Sequence, residues 1–233
     1  MDFLYLIFLW FPGASVSGCR DKPWPSSSLP DVCRILCSNV RGLAGNLSDL
    51  TVASSQYDIL LCYETLVSDM HHVSEVLVPG FGRPVLLCRC KMPRARGLAA
   101  YVRDGYGAFR QPKFECGCCK MLVFRVCGVR QNLYVYSLCR NPDLNDRTFD
   151  CLLTSIAAVQ AEDVRASFLF VGDLNSHHQE WLSSTTTNRH GVAAFDFATV
   201  SGCDQLVVLP THARGGIFYL LMTDVPDLVG LLL

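Results

Sequence analysis

The chain has 233 residues, half of them hydrophobic, and a formal net charge of −1. That length suits one α/β domain. The apolar content excludes a chain that is disordered throughout, while the near-zero charge excludes no class of partner. Phe3 to Phe11 is an almost unbroken apolar run followed by Ala14, Ser15, Ser17 and Gly18. It has the pattern of a signal-peptide core and cleavage region (Met1–Gly18) without a preceding Lys or Arg, or equally of a spurious upstream extension. It is far too short to span a bilayer as a helix. Arg20 to Pro30, with Pro23, Pro25 and a Ser run, reads as a linker. The expected division is therefore a segment over 1–30 and a folded domain over 31–233.

Strands are expected at Val32–Ser38, Tyr57–Cys62, Val85–Cys90, Leu98–Val102, Met121–Val126 and Leu133–Leu138, with a short helix over Asn46–Ser55. Asn145-Asp146 caps an amphipathic helix to about Gln160, in which Phe149, Leu152, Leu153, Ile156 and Val159 recur at helical spacing. A buried strand over Ser167–Val171, a helix over Val192–Val200, and strands at Leu206–Leu209 and Ile217–Met222 follow. Strands alternating with helices in this way predict an α/β fold with mixed sheets. The chain stops on the apolar run Val229–Leu233, as a domain cut short would.

Thirteen cysteines is a high count. Cys33, Cys37, Cys62, Cys88 and Cys127 fall inside apolar strands and read as small hydrophobes in a reducing compartment, which points to an intracellular protein. Cys116-Gly117-Cys118-Cys119 and Cys88-Arg89-Cys90 lack the two separated Cys-x-x-Cys pairs of a structural zinc site. Charge is uneven. Arg89 to Arg147 holds twelve Lys or Arg against four Asp or Glu, so the middle of the chain either presents a basic face to a polyanion or forms a solvated surface of mixed charge.

Chemistry concentrates at strand ends. Asn39 ends one strand, Glu64 follows another, and Gly172-Asp173-Leu174-Asn175-Ser176-His177-His178 follows a third. Strand ends of a partly parallel sheet meet at one rim, where α/β proteins place their sites. Glu64 offers hard oxygen suited to Mg²⁺, and an ion there would polarise a phosphoryl oxygen. Asp173 could orient or deprotonate water. Asn175, two residues on, would project to the same side of an extended backbone and hold a phosphate oxygen. His177 and His178 are extra donors or loop braces.

Asn39, Tyr63-Glu64-Thr65 and Gly172-Asp173-Leu174-Asn175 stand in the order and rough spacing of the endonuclease/exonuclease/phosphatase superfamily. The chain resembles above all the apurinic-type endonuclease domain at the front of non-LTR (LINE, jockey-like) retrotransposon polyproteins. Cys139-Arg140-Asn141-Pro142-Asp143, Ser176-His177-His178 with Trp181, Asn188-Arg189-His190-Gly191, Thr211-His212 and Thr223-Asp224-Val225-Pro226 share in the likeness, which spans about Asp31 to Val229. The resemblance implies a four-layer α/β sandwich, two packed mixed β-sheets flanked by helices, here lacking the last strands.

It also implies a phosphodiesterase that uses Mg²⁺ or Mn²⁺ and nicks DNA so that the freed 3′ hydroxyl primes reverse transcription. The chain would once have been part of a larger polyprotein, nuclear or cytoplasmic, with no stable membrane association. By position, Glu64 would be the main metal ligand with Asn39 beside the metal and phosphate. Asp173 would activate water, and Asn175, with His177 and Asn141, would contact the substrate. Three positions depart from the pattern. Cys139 stands where the family usually has a phosphate-contacting Tyr, and Tyr136, an odd number of residues away, faces the other side of its strand. Tyr219 stands where an Asp usually supports the catalytic His, and the chain ends before the Ser-Asp-His segment, to which His212 does not correspond. A decayed copy, a non-catalytic nucleic-acid-binding module, and a relative acting on phosphorylated lipids or nucleotides also fit the sequence.

Overall fold

The structure is a computed structural model. It describes residues 2–10, 32–67, 73–87, 97–117, 119–128, 131–140, 147–182, 184–208, 217 and 219–232. In chain order the elements are β1 (Asp2–Trp10), β2 (Val32–Asn39), α1 (Leu47–Ser54), β3 (Ile59–Tyr63), β4 (Val85–Leu87), β5 (Leu98–Val102), β6 (Ala108–Arg110), β7 (Lys120–Val126) and β8 (Leu133–Cys139). They continue as α2 (Thr148–Glu162), β9 (Ser167–Asp173), α3 (Gln179–Leu182), α4 (Arg189–Ser201), β10 (Asp204–Gln205), β11 (Tyr219–Thr223) and β12 (Val229–Leu232).

The strands form two six-stranded mixed sheets, ordered β12-β1-β2-β3-β5-β4 and β10-β11-β9-β8-β7-β6. Each contains one parallel pair near its middle, β2/β3 in the first sheet and β8/β9 in the second. Helix α1 lies in the β2-to-β3 connection and α2 in the β8-to-β9 connection, as a parallel pair requires a crossover. All other pairs are antiparallel.

Strand alternation explains why the central strands read as continuous apolar runs. On β3, Ile59, Leu61 and Tyr63 enter the core between the sheets, while Leu60 and Cys62 join a second cluster with Leu36, Leu43 and Leu50 under α1. Both faces are covered, so both parities must be apolar. On the far side, Phe149, Leu152, Ile156 and Val159 of α2 and Phe197 of α4 pack against Phe168 and Phe170 of β9. Each such side chain, fully buried, stabilises the fold by about 1.5–3 kcal/mol relative to exposure. The layers are therefore helix, sheet, sheet, helix.

Several expectations shift. The apolar run set apart in segment 1–30 supplies β1, a strand between β2 and β12, with Ile7 and Leu9 fully buried. Their spacing of two puts them on one face of a strand. Leu206 and Val207 lie beyond a two-residue strand that ends at Gln205, and β6 was not foreseen. Helix α2 has Arg147 at its N-cap, whereas Asn145 and Asp146 lie outside the described residues, as do the expected linker Arg20–Pro30 and Cys88 to Cys90. No helix among the described residues is long and apolar enough to cross a membrane.

Candidate active site

The C-terminal ends of both parallel pairs face one another across the sandwich. In the first sheet, Asn39 pairs with Tyr63, and Glu64 follows at once. In the second, Cys139 pairs with Asp173, and Asp173 pairs with Tyr219 on β11. Tyr63 joins the two sheets. Its hydroxyl donates to the Val171 carbonyl at 3.2 Å and accepts from Ser137 Oγ at 3.2 Å, and its ring meets the Tyr219 ring edge-on with centroids 5.5 Å apart.

Tyr219 reports the convergence electrostatically. Burial pushes its phenol well up, the carboxylates of Asp173 and Glu64 push it further, and the neighbouring Asn39 amide pulls it back. Asn39, Glu64 and Asp173, which are 134 residues apart at their extremes, thus all act on one hydroxyl. Asp173 is 5 % exposed and the neutral Tyr219 8 %, whereas Glu64 is half-buried, so the field of the Asp173 carboxylate is the less screened of the two.

The loops carrying these groups hold unusual backbone. Arg41, Glu64, Leu66 and Asn175 are the non-glycine residues with positive φ among those described, at 42°, 53°, 52° and 46°. Each costs of order 1 kcal/mol or more and persists only where the surroundings enforce it. Here Arg41 N–H donates to Asn39 Oδ1, Gly42 N–H donates to the Glu64 carbonyl, and Asn46 Nδ2 ties down the carbonyls of Val40 and Gly42. Asn46 stands at the N-cap of α1, but its side chain makes no cap bond and serves the loop instead.

The left-handed Asn175 corrects one expectation. The chain leaves the extended state before Asn175, so this residue does not share a strand face with Asp173. The two are linked instead by the Asn175 N–H donating to Asp173 Oδ1 at 3.3 Å, and Asn175 Nδ2 donates to the Arg140 carbonyl at 2.9 Å. Arg140 holds this loop from below. Its guanidinium, 2 % exposed, donates from Nε to the Leu174 carbonyl at 2.7 Å and from Nη2 to the Asn175 carbonyl at 3.1 Å.

Two glycines allow the close packing. A Cβ on Gly172 would fall 1.9 Å from the Leu138 carbonyl oxygen on the neighbouring strand, and one on Gly191 would fall 1.8 Å from that of His177. The second contact seats α4 on the loop. Asn188 caps that helix by accepting from Gly191 N–H at 2.7 Å and also accepts from His177 N–H at 3.2 Å. The Asn188-Arg189-His190-Gly191 segment is thus a cap and a docking glycine. His178 is a brace. Its Nδ1 accepts from Trp181 N–H, and its ring stacks on Phe195 at 5.3 Å.

His177, half-buried, is placed through its backbone beside Asn188. Asn141, Thr211 and His212 lie outside the described residues. Tyr136 points away from the rim, its hydroxyl 2.9 Å from Ser155 Oγ on α2. Sequence reasoning placed Tyr219 at a site position but gave no role to Tyr63, Arg140 or Asn188 individually. The parity of β3 was the available signal for Tyr63, since Ile59, Leu61 and Tyr63 must share the inter-sheet face.

Among the described residues, several bases of the basic middle have partners within the chain. Arg103 binds the carbonyls of Tyr57 and Ser54, Arg110 pairs with Glu115, Lys113 with Glu162 and Arg147 with Asp150. Arg89, Lys91, Arg94, Arg96 and Arg130 lie outside the described residues.

Several solved structures share this fold. The endonuclease domain of TRAS1, a telomere-specific non-LTR retrotransposon, superposes with a TM-score of 0.57 at 17 % identity, covering 82 % of this chain and 83 % of that one. This is the endonuclease/exonuclease/phosphatase fold. An AP endonuclease from Leishmania major gives 0.61 at 11 % identity over 82 % of this chain and 78 % of that one. The catalytic domain of APE2 from Xenopus laevis gives 0.55 at 13 % over 81 % of each. No protein-family model and no curated protein matches the sequence.

Proposed function

We propose that the chain is a metal-dependent phosphodiesterase domain of the DNA-nicking kind, related to those of non-LTR retrotransposons. The observation that carries this reading is the meeting of Asn39, Glu64 and Asp173 around one point from strands of two different sheets. Two carboxylates come to one rim, that of Asp173 buried and that of Glu64 half-buried, and they supply negative charge that a cation would offset.

The donors fit a hard divalent ion. Glu64 would hold it, with Asn39 alongside, leaving most positions to water as Mg²⁺ prefers. When bound, such an ion supplies charge neutralisation at the scissile phosphate. The chain's own residues do the remainder. Asp173 orients water and accepts its proton. Asn175 keeps one amide hydrogen on the Arg140 carbonyl and directs its other toward a phosphate oxygen. His177 and Asn141 would contact the nucleic acid.

A second reading is DNA binding without turnover, and Tyr219 favours it. Its hydroxyl feels Asn39, Glu64 and Asp173 together and stands where the related pattern has a carboxylate, and Cys139 replaces the phosphate-contacting Tyr. A supercoiled-plasmid nicking assay decides. Nicking that needs Mg²⁺ or Mn²⁺ and falls on the order of 10²–10⁴-fold in Glu64→Gln and Asp173→Asn supports catalysis. Retention of DNA with steep salt dependence, no nicking and no effect of metal supports the binding module. Nicking that survives Glu64→Ala overturns the metal assignment.

A further inference from the structure

The fold assembles a three-thiol cluster that no single stretch of sequence contains. Cys116 and Cys119 form a Cys-x-x-Cys pair in the segment entering β7, and Cys151 comes from the first turns of α2. Their sulfur atoms all lie within 4.8 Å of one another, and Cys116 Sγ is 3.0 Å from Cys151 Sγ. We propose that Cys116, Cys119 and Cys151 form a tris-thiolate site for a thiophilic divalent cation, zinc by preference.

Three observations separate this cluster from the other cysteines. The three thiols are half-buried, so a hydrated ion can reach them, whereas Cys33, Cys37, Cys62, Cys127 and Cys139 are buried. Burial pushes Cys62 up to about 12 and Cys33 and Cys37 further still, which keeps those thiols protonated and inert. Second, sulfurs around tetrahedral zinc, at about 2.3 Å from the metal, are roughly 3.8 Å apart, so each separation in the trio is within about 1 Å of what zinc requires. Third, the pair separated by two residues is the usual bidentate unit of zinc sites, and a ligand from a different element completes it.

As each Zn–S bond forms, the thiol proton leaves to solvent, and a water fills the fourth position. The place is structurally apt. Lys120, next to Cys119, pairs with Cys139, which pairs with Asp173. The ion would therefore clamp the entry of β7 to α2 and steady the end of the second sheet that carries Asp173. This site is separate from the hard-oxygen rim, because zinc selects sulfur here as Mg²⁺ selects oxygen there.

The test is cobalt titration of the full chain with all thiols reduced. One equivalent of Co²⁺ should give thiolate-to-cobalt charge-transfer absorption and the strong visible bands of tetrahedral cobalt, and one equivalent of Zn²⁺ should bleach both. Cys151→Ser and Cys116→Ser should each weaken binding by about 100-fold or more, since loss of even an outer-shell partner costs roughly 10–100-fold. Cys203→Ser should change nothing. Native mass spectrometry of the wild-type chain should show one zinc per chain that a chelator removes, which keeps the idea testable if a serine variant misfolds. No charge-transfer absorption, an identical spectrum in Cys151→Ser, or a Cys116–Cys151 disulfide that forms in place of metal binding would overturn it.

Discussion

Arg140 offers the sharpest test of how the candidate site is held. Its side chain is 2 % exposed and donates at 2.7 and 3.1 Å to the carbonyls of Leu174 and Asn175, the loop that follows Asp173. A hydrogen bond to a charged group contributes about 1.5–3 kcal/mol net, and truncation would leave both carbonyls short of a donor. Against this stands the desolvation of a buried cation, several kcal/mol in the folded state, which the substitution removes. Arg140→Met keeps most of the volume, so cavity costs are small, and the two opposing terms leave a net loss of about 2–4 kcal/mol. In a domain of this size each kcal/mol lowers Tm by about 2–4 °C, so the expected fall is roughly 4–16 °C. Arg140→Lys retains the charge and can serve one carbonyl at a time, and it should fall between the two. Urea unfolding with the slope held as a control would measure the loss. If Arg140→Met unfolds at the wild-type midpoint with an unchanged slope, the guanidinium is not what positions the loop.

Gly172→Ala should lose about 3 kcal/mol or more, or fail to fold, because its Cβ would stand 1.9 Å from the Leu138 carbonyl oxygen; Gly45→Ala, with nothing within 4 Å of its Cβ, is the control and should be neutral or slightly stabilising by denaturation midpoint. His178→Ala should cost about 1–2 kcal/mol from the lost Phe195 stack and the lost acceptor for Trp181 N–H. Nicking per folded molecule should stay unchanged, and a selective loss of nicking would move His178 from brace to participant. Asp224 gives a pH prediction. Burial raises its carboxyl above the usual 3.8, although Phe168 N–H donates to it. A raised folded pKa means that the native state binds the proton more tightly than the unfolded chain, so this group withdraws stability as pH rises from the unfolded pKa through the folded one. Asp224→Asn keeps the acceptor for Phe168. Relative to wild type it should be more favourable at pH 7 than at pH 3, and the same difference at both values would refute the assignment.

Much of the framework was legible because the central strands obey simple parity. A strand covered on both faces must be apolar at every position, and Ile59 to Tyr63, Leu133 to Leu138 and Ser167 to Val171 read that way. The helix α2 was legible from its spacing. The strand β1 was not, because nine apolar residues followed by small ones look the same in a secretory leader and in a sheet; only the partner strands β2 and β12 distinguish them. The site divides similarly. Asn39, Glu64 and Asp173 could be found because each ends an apolar run. The geometry of Asn175 could not, since a left-handed residue is chosen by the Arg140 and Asn188 side chains that receive its carbonyl, and neither is near in sequence. The thiol cluster was hidden for the same reason: Cys151 is 35 residues from Cys116 and reaches it only once α2 packs against the loop before β7.

One structural cause underlies the position of the rim. Each sheet holds a single parallel pair, and parallel strands deliver two chain ends to the same edge, whereas antiparallel neighbours alternate theirs. Asn39 and Glu64 leave one pair, Cys139 and Asp173 the other, and Tyr63 ties the pairs together through Val171 and Ser137. The two carboxylates are thus carried by different sheets, at strand ends that the Tyr63 hydrogen bonds tie together across the core. Tyr63→Phe isolates that tie. It removes both hydrogen bonds while keeping the ring, so it should cost only about 1–2 kcal/mol of stability, since a buried acceptor loses its donor. If the tie also sets the distance between the two sheet ends, nicking should fall more than the loss of folded protein explains, with metal affinity falling alongside. If nicking tracks the folded fraction alone, each sheet positions its own carboxylate and the inter-sheet bond serves stability only.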